Sequence, residues 1–405
     1  MPKIVLITSG QPSTNPRLVK EADILSEIGF SVIVIYQYRT AWATRSDKEL
    51  LSSKSWKALC IGGDPVYQRA LYFSTNALYK FATAITKNFG FDSRFAKLAI
   101  GRCGSLLEHE AKKHKADLYI AHNLAALPSA FHAAEKHRAK LGFDAEDFHR
   151  NEMSDNPNDF DVLLKSYIEN IYLKRLDYLT ASSNLIAQAY KSLYPSLNPY
   201  VVKNVFGLEY QPTLNLNENI DLKLFWFSQT VGKNRGLEDV ILALNLINNS
   251  LIELNLLGSI NESTRTYFDD LAIFKIKYHE PINSNEIFKV ASHFDIGLAL
   301  EPAFSFNNEI ALSNKLFTYL LSGLAIIASN TRAQTNFIEE NLGIGKLYTI
   351  GDTNELANII LAFYENKLLL NSYKETAYHL AQTKYNWELE QNKFLSIIND
   401  CISNN

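Results

Sequence analysis

Two short basic segments in the second half of the chain combine residue types that suit a bound anion. Lys233 and Arg235 lie in the run SQTVGKNRGLE, which follows one predicted strand and opens a predicted helix. Lys315 lies in the first turn of another predicted helix, where its charge opposes the helix dipole. A phosphate partner would explain that placement, because free N–H groups and cations at a helix start hold anions well. These residues are therefore expected to grip a diphosphate; solvated surface cations are the alternative.

Polar residues also follow predicted strands in the first half of the chain. His122 and Asn123 come directly after the run DLYIA, and Gly10 lies in the loop after the first strand. Ligands of open α/β sheets bind beyond the carboxyl ends of the strands, so His122 is expected to contact a sugar hydroxyl or a phosphate. The carboxylates of Asp144 and Glu146 could bind sugar hydroxyls or transfer protons. The alternatives are that His122 is a hydrogen-bonded structural histidine, that Gly10 belongs to an ordinary turn, and that Asp144 and Glu146 are solvated loop acids.

The elements that must position these residues alternate along the chain. The apolar run Lys3–Thr8 predicts a strand, Pro16 opens a helical pattern that Gly29 stops, and SVIVIY follows as a second strand. Such a strand–helix–strand unit is typical of a parallel sheet, and nearly continuous apolar strands indicate a sheet covered on both faces. Further strands of this half are predicted at residues 117–121, 142–145 and 178–182.

The alternation restarts after a polar stretch at residues 211–219, which indicates a domain boundary. The strands predicted for the second half are 223–227, 252–257, 274–277, 295–300 and 325–329, and the helices are 235–247, 285–292 and 313–321, with two more after residue 354. The predicted fold class is α/β, with two Rossmann-like doubly wound domains that face a central cleft. The predicted domains are 1–205 and 206–385, with a closing helix at 386–405 that packs back on the first domain.

Composition restricts the classes of function. The chain has 405 residues, of which 47% are apolar and 20% charged, and its net charge of -3 offers no global basic field for nucleic acid. Cys60, Cys103 and Cys401 form no CxxC pair, so neither a disulfide framework nor a zinc knuckle is indicated, and a reducing cytoplasm fits. No apolar stretch approaches the ~20 residues of a membrane span.

One stretch, residues 79–102, is rich in aromatic residues and holds five basic residues against one acid, Asp92. A stretch of that composition could make peripheral contact with the inner face of a membrane. The alternative is a set of helices that pack on the first domain while their lysines reach water.

Four segments resemble the GT-B glycosyltransferases of family 4, especially the enzymes of bacterial polysaccharide synthesis. They are KIVLITSGQPSTNPRLVKEADILSEIGF, DLYIAHN, VGKNRGLED and NKLFTYLLSGLAIIAS, and the likeness runs nearly end to end. The resemblance implies transfer with retention of anomeric configuration and no required metal or other cofactor. It also implies a nucleoside-diphosphate sugar as co-substrate and a glycan or lipid-linked acceptor.

The resemblance assigns roles to individual residues. It places Lys233, Arg235 and Lys315 near the diphosphate and His122 against the donor sugar, so that His122, Arg235 and Lys315 form the expected catalytic set. Further residues expected to bind donor or substrate are Gly10, Asn123, Asp144, Glu146, Asn204, Gly232, Lys233, Glu301, Glu309, Asn314 and Thr318.

Two positions depart from the family pattern. The family carries two glutamates eight positions apart, the second five residues before the glycine matched by Gly323, and here those positions hold Ile310 and Thr318. Glu309 is displaced by one residue. Because the second glutamate holds the ribose hydroxyls in the family, a subfamily with an altered donor site is expected.

The sequence therefore predicts a cytoplasmic, hexosyltransferase-like enzyme of bacterial surface polysaccharide synthesis. Two alternatives stay open. One is a nucleotide-sugar epimerase of similar fold, which would need acids and bases for elimination. The other is a non-catalytic subunit that supports an active transferase. It is suggested by Thr318, which stands where the family has its second glutamate.

Overall fold

Apolar runs form the parallel strands of the first half of the chain, as their patterning predicts. In the computed structural model, which describes residues 2–403 without the side chain of Ser93, these strands make a seven-stranded parallel sheet. The elements of this half are β1 (Lys3–Thr8), α1 (Pro16–Glu27), β2 (Ser31–Gln37), α2 (Ala41–Leu51), β3 (Lys57–Ile61), α3 (Arg69–Phe89), α4 (Ser93–Ala99), α5 (Gly104–Ala111), β4 (Leu118–His122), α6 (Leu127–His137), β5 (Lys140–Ala145), α7 (Phe160–Tyr172), β6 (Tyr178–Ala181), α8 (Asn184–Leu193) and β7 (Tyr200–Val201).

The second half builds a six-stranded parallel sheet in the same manner. Its elements are β8 (Leu222–Thr230), α9 (Leu237–Ile247), β9 (Ile252–Ser259), α10 (Glu262–Leu271), β10 (Lys277–His279), α11 (Ile287–Ala291), β11 (Ile296–Ala299), α12 (Phe306–Ile310), α13 (Asn314–Ser322), β12 (Ala325–Ser329), α14 (Arg332–Glu340), β13 (Gly345–Tyr348), α15 (Thr353–Glu365), α16 (Lys367–Thr383) and α17 (Trp387–Ser403).

Strand order explains where side chains of each sheet meet. The first sheet runs β3-β2-β1-β4-β5-β6-β7 and the second β10-β9-β8-β11-β12-β13. In both sheets the chain starts in an inner strand, moves to one edge, returns and continues to the other edge. This reversal places the carboxyl ends of β1 and β4, and likewise those of β8 and β11, next to each other, which is where doubly wound sheets bind ligands. The expected fold class of two doubly wound α/β domains is confirmed.

The described residues divide into two compact units. Unit 1 contains residues 2–202, Ser305–Asn307 and residues 391–403, and unit 2 contains Lys203–Phe304 and Asn308–Glu390. The final helix α17 therefore starts in unit 2 and continues in unit 1. Ser305–Asn307, which the sequence offers no reason to separate from its neighbours, belongs to unit 1.

One predicted strand position and one predicted number of helices are wrong. The strand predicted at 274–277 begins at Lys277, because β10 pairs through Lys277, Tyr278 and His279 with β9. Three helices rather than two close the chain after residue 354. Asn366 separates the first two of them, since it ends α15 and its side chain accepts a hydrogen bond from the Leu369 N–H at the start of α16.

Candidate functional site

A buried ionic cluster lies at the carboxyl edge of the first sheet. Helix α1 begins at Pro16, capped by the Asn15 side chain, and this places Arg17 and Glu21 one turn apart on its buried face. His122 and Asp144 end up side by side because they are register partners in β4 and β5. Together Arg17, Glu21, His122 and Asp144 form the cluster.

The distances in the cluster are those of ion pairs. Arg17 Nη2 lies 2.7 Å from Asp144 Oδ1, and His122 Nε2 and Nδ1 lie 3.1 Å from Glu21 Oε2 and 3.3 Å from Asp144 Oδ2. The Thr180 hydroxyl donates a further hydrogen bond to Asp144 Oδ1 at 2.7 Å. The carboxylate of Asp144 therefore contacts two cations and a hydroxyl.

Electrostatics favour the charged forms of His122 and Asp144. Burial alone would lower the pKa of His122, but the carboxylates of Glu21 and Asp144 raise it to about 10. Burial would likewise raise the pKa of Asp144, but Arg17 and His122 hold it below its usual range. Two cations thus balance two carboxylates in a region from which water is excluded.

Three members of the cluster also have donor atoms close enough for a metal ion. Ligand atoms of Glu21, His122 and Asp144 lie within 4.8 Å of one another. The guanidinium of Arg17 already occupies one side of Asp144, however, and a divalent cation would meet that positive charge. The side chains suit a self-balanced ion cluster better than a metal site.

This geometry corrects the expected orientation of two residues. His122 and Asp144 are both 0% exposed, so neither presents an atom to a ligand in this structure. The reason is pairing across the sheet: the last residue of β4 turns toward α1, where Glu21 provides a carboxylate partner. No sequence pattern indicates that partnership, although Arg17 and Glu21 show the i, i+4 spacing of residues on one helix face.

Gly10 lies in the loop after β1, and Asn123 lies in the loop after the neighbouring strand β4. The Asn123 side chain accepts a hydrogen bond from the Ser9 hydroxyl at 2.6 Å and donates one to Thr8 Oγ1 at 3.0 Å. A side chain at Gly10 would approach Thr8 and Asn123. Asn123 therefore connects the end of β4 to the loop after β1, and the two residues predicted from separate motifs lie close together.

A cavity of about 470 Å³ opens beyond these loops in unit 1. Helix α3 contributes Tyr72, Asn76 and Tyr79 to its lining, which also includes Glu146 and His149. Aromatic rings beside carboxylates and amides suit a ligand with many hydroxyl groups. A shallower hollow of about 690 Å³ in unit 2 lies against β13 and α15 and contains none of the predicted site residues.

The polar groups of this cavity have unusual proton affinities. Burial and the charge of Asp144 raise the pKa of Glu146 to about 7. Burial would lower the pKa of His149, but Glu152, whose Oε2 lies 3.6 Å from Nδ1, raises it above its ordinary value. Within the described residues, Glu146 Oε1, His149 Nε2 and Gln37 Oε1 are buried and lack a hydrogen-bond partner. Such groups are expected to find partners when a polar ligand binds.

In unit 2, the predicted basic loop follows β8 directly. Arg235 is exposed, and its Nη1 donates a hydrogen bond to the Ser228 hydroxyl at 2.8 Å. Lys233 is exposed and its Nζ lies 3.8 Å from the centre of the Tyr267 ring. Gly236 adopts a φ of +77° and would place a Cβ 2.9 Å from Leu300 Cβ, so the loop lies against the end of β11.

Lys315 lies at the carboxyl edge of the same sheet. Its Nζ is 3.4 Å from Glu301 Oε1 and 5.5 Å from the centre of the Trp226 ring. It stands in the first turn of α13, where Ser313 supplies no side-chain cap and no acidic residue is present. The start of α13 and the ammonium of Lys315 therefore both offer N–H donors that suit an anion.

The other predicted residues of unit 2 differ in exposure and in their contacts within the chain. Thr318 is 1% exposed and its hydroxyl bonds to the carbonyl of Asn314, so it offers no replacement for a ribose-binding carboxylate. Glu309 Oε2 accepts a hydrogen bond from the Arg332 N–H at 3.0 Å. Asn204 is buried, whereas Gly232 is partly exposed and a Cβ there would meet only Arg235 Nε, at 3.8 Å.

Comparison with solved structures identifies the fold. A glycosyltransferase from Rickettsia africae superposes with a TM-score of 0.68 at 15% identity, covering 100% of this chain and 99% of that one. HepE from Anabaena in complex with UDP-glucose gives 0.68 at 14% identity, covering 99% and 100%. A putative UDP-N-acetylglucosamine 2-epimerase from Listeria monocytogenes gives 0.60 at 14% identity, covering 98% and 96%. The chain has the GT-B fold.

Sequence comparison adds no relative. No protein-family model matches the chain, and no curated protein has a similar sequence.

Proposed function

We propose that this chain is a glycosyltransferase that moves a sugar from a nucleoside-diphosphate donor to a glycan or lipid-linked acceptor. The observation that carries the proposal is the cationic carboxyl edge of unit 2, on a fold shared with a protein solved in complex with UDP-glucose. The finer assignments, family 4, a hexose donor and bacterial surface polysaccharide synthesis in the cytoplasm, depend on the motif resemblance and belong to the same proposal.

The start of α13 and two cations would hold the donor diphosphate. The guanidinium of Arg235 is anchored at Ser228, and its remaining N–H groups are available to phosphate oxygens. Lys315 has three donors, so it can keep its contact with Glu301 while it bonds to a phosphate. When the bond between the sugar C1 and the diphosphate breaks, these groups stabilise the negative charge that the leaving diphosphate gains.

The cavity of unit 1 is the proposed acceptor site. A sugar ring can stack on Tyr72 or Tyr79, and its hydroxyls can donate to Glu146 and accept from Asn76 and Asn123. The acceptor oxygen forms the new bond to C1 as the bond between C1 and the diphosphate breaks, and its proton passes to an oxygen of the leaving diphosphate. Retention of configuration and independence of metal ions are further parts of the proposal, supported by the resemblance.

The test is a donor screen with matched variants. Release of nucleoside diphosphate from a panel of nucleotide sugars is measured for the native chain, Lys315→Ala and Arg235→Ala. We expect kcat/KM to fall about 10²–10³-fold in both variants, the usual effect of removing one group that stabilises transition-state charge. Lys346→Ala, an exposed lysine on β13, is the control and should leave the rate unchanged. Equal rates in all four proteins would show that Lys315 and Arg235 do not stabilise the leaving diphosphate.

A nucleotide-sugar epimerase is the second candidate, favoured by the epimerase among the structures of like fold. Incubation with donor alone discriminates the two, because an epimerase yields an isomeric nucleotide sugar without any acceptor. A support subunit without catalysis is the third candidate, suggested by the buried Thr318. Thermal melting with nucleoside diphosphates tests it, since a ligand at 100 times its Kd stabilises the fold by about 2.7 kcal/mol.

A further inference from the structure

The outer face of α3 in unit 1 carries large apolar side chains in water. Phe73 and Phe81 are 55% and 57% exposed, and Leu78, about one turn before Phe81, is exposed as well. Soluble proteins rarely leave apolar side chains of this size together on one surface unless that surface binds something. The face therefore indicates a partner.

The burial pattern of α3 is the reverse of the pattern in a helix that packs only on its own domain: its small side chains are buried and its large apolar ones are exposed. Its buried residues are Thr75, Ala82 and Thr86, which are small and lie seven and four positions apart on one side of the helix. Phe73 and Phe81 lie eight positions apart on another side and remain exposed. Because a domain normally buries its largest apolar residues, folding alone does not account for the outward phenylalanines.

Charge on the same helix is entirely positive. α3 contains no acidic residue, and Arg69, Lys80 and Lys87 are exposed on it. Among the described residues, the neighbouring ion pairs are formed by Arg94 and Lys97 of the next helix, α4. They involve none of the three cations of α3. The whole chain is slightly acidic, so this is a local concentration of positive charge.

We propose that the exposed face of α3 docks on an anionic lipid surface. A helix with aromatic residues on one side and cations beside them lies in the plane of the membrane interface, its rings among the acyl chains and its cations at the phosphates. The 21 residues of α3 give it a length of ~30 Å, and among the described residues no helix has the length and apolar character to cross a membrane. Against an anionic surface, each basic residue raises the binding constant about fivefold.

The same helix forms a wall of the cavity. Tyr72, Asn76 and Tyr79 line the cavity on one side of α3, while Phe73 and Phe81 are exposed. Docking would hold the cavity within about one helix diameter, ~10 Å, of the lipid. A lipid-linked acceptor could then enter the cavity while its lipid stays in the membrane; this consequence rests on the proposed function, whereas the docking itself does not.

The test is vesicle co-sedimentation of the full chain without any nucleotide sugar. We expect binding to vesicles of phosphatidylglycerol mixed with phosphatidylcholine, little binding to phosphatidylcholine alone, and a marked loss at high salt. The double variant Phe73→Ser/Phe81→Ser should weaken binding at least about tenfold. Lys80→Gln/Lys87→Gln should weaken it about 25-fold, from two losses of about fivefold.

Matched controls distinguish docking through α3 from general adhesion of exposed apolar residues. Ile273→Ser/Leu368→Ser removes two apolar residues of unit 2 that are more exposed than Phe73 and Phe81, and its vesicle binding should equal that of the native chain. Unchanged binding of the α3 variants, or no binding of the native chain to anionic vesicles, would overturn the proposal. So would a native dimer that Phe73→Ser/Phe81→Ser converts to a monomer, because the face would then be a contact between copies of this chain. The assay contains no donor, so its outcome is independent of transferase activity.

Discussion

Replacing His122 by glutamine tests whether this residue supports the fold or acts on substrate. Its ring is 0% exposed, and its two nitrogens lie 3.1 and 3.3 Å from carboxylate oxygens of Glu21 and Asp144. Removing one partner from a buried ionic cluster usually costs about 3–5 kcal/mol, because the remaining charges stay buried without compensation. For a unit of this size, each kcal/mol lowers Tm by about 2–4 °C. The variant His122→Gln should therefore melt about 6–20 °C lower.

The pH dependence of this effect has a definite sign. Burial lowers the pKa of His122, but Glu21 and Asp144 raise it to about 10 in the folded chain, against about 6.5 when unfolded. The charged histidine therefore contributes its full stabilisation below pH ~6.5, and that contribution is lost as pH rises toward ~10. The difference in unfolding free energy between the native chain and His122→Gln should shrink across this interval.

Calorimetry and denaturant unfolding at several pH values measure the effect, with His109→Gln as the control. His109 is exposed, so its replacement should change the unfolding free energy by no more than about 0.5 kcal/mol. Donor turnover per folded molecule is measured in parallel. A normal Tm together with abolished turnover would refute the structural role and support direct contact with the donor sugar.

Two further predictions concern one residue in each unit. Glu146→Gln should raise Tm at pH 8 and leave it nearly unchanged at pH 4, because burial and Asp144 raise the pKa of Glu146 to about 7 and the ionised carboxylate destabilises the fold above that pH; equal shifts at both pH values would contradict this. Gly236→Ala should destabilise the fold by about 1–2 kcal/mol, since φ is +77° and the new Cβ would lie 2.9 Å from Leu300 Cβ. Gly232→Ala, where φ is not positive and the nearest atom is 3.8 Å away, should be neutral in denaturant unfolding.

The ionic cluster gives His122 an indirect role in the proposed reaction. Asp144 belongs to β5, and Glu146, which lines the cavity, follows it by two residues. By fixing Asp144 between Arg17 and His122, the cluster fixes the strand end from which the cavity carboxylate projects. His122 is then a positioning residue, and the variant His122→Gln should raise the acceptor KM more than it lowers kcat.

Local sequence determined most of the secondary structure. The run AIIAS forms β12 at Ala325–Ser329, and Pro16 opens α1, because apolar β-branched runs and the fixed φ of proline act on their own neighbours in the chain. The alternation of strands and helices was also enough to predict two doubly wound sheets, because few other topologies bury apolar strands that are separated by helices. The basic loop after β8 and the lysine at the start of α13 were found the same way.

Tertiary structure decided which partner each side chain meets. β10 is a short edge strand whose register follows its hydrogen bonds to β9 rather than its own apolar residues. His122 turns inward because α1, a hundred residues earlier, presents Glu21, and no local pattern encodes that meeting. Likewise Phe73 and Phe81 have the hydrophobicity of core residues and are nevertheless exposed in the fold. Propensity depends on neighbours along the chain, whereas charge pairing and burial depend on residues that only folding brings together.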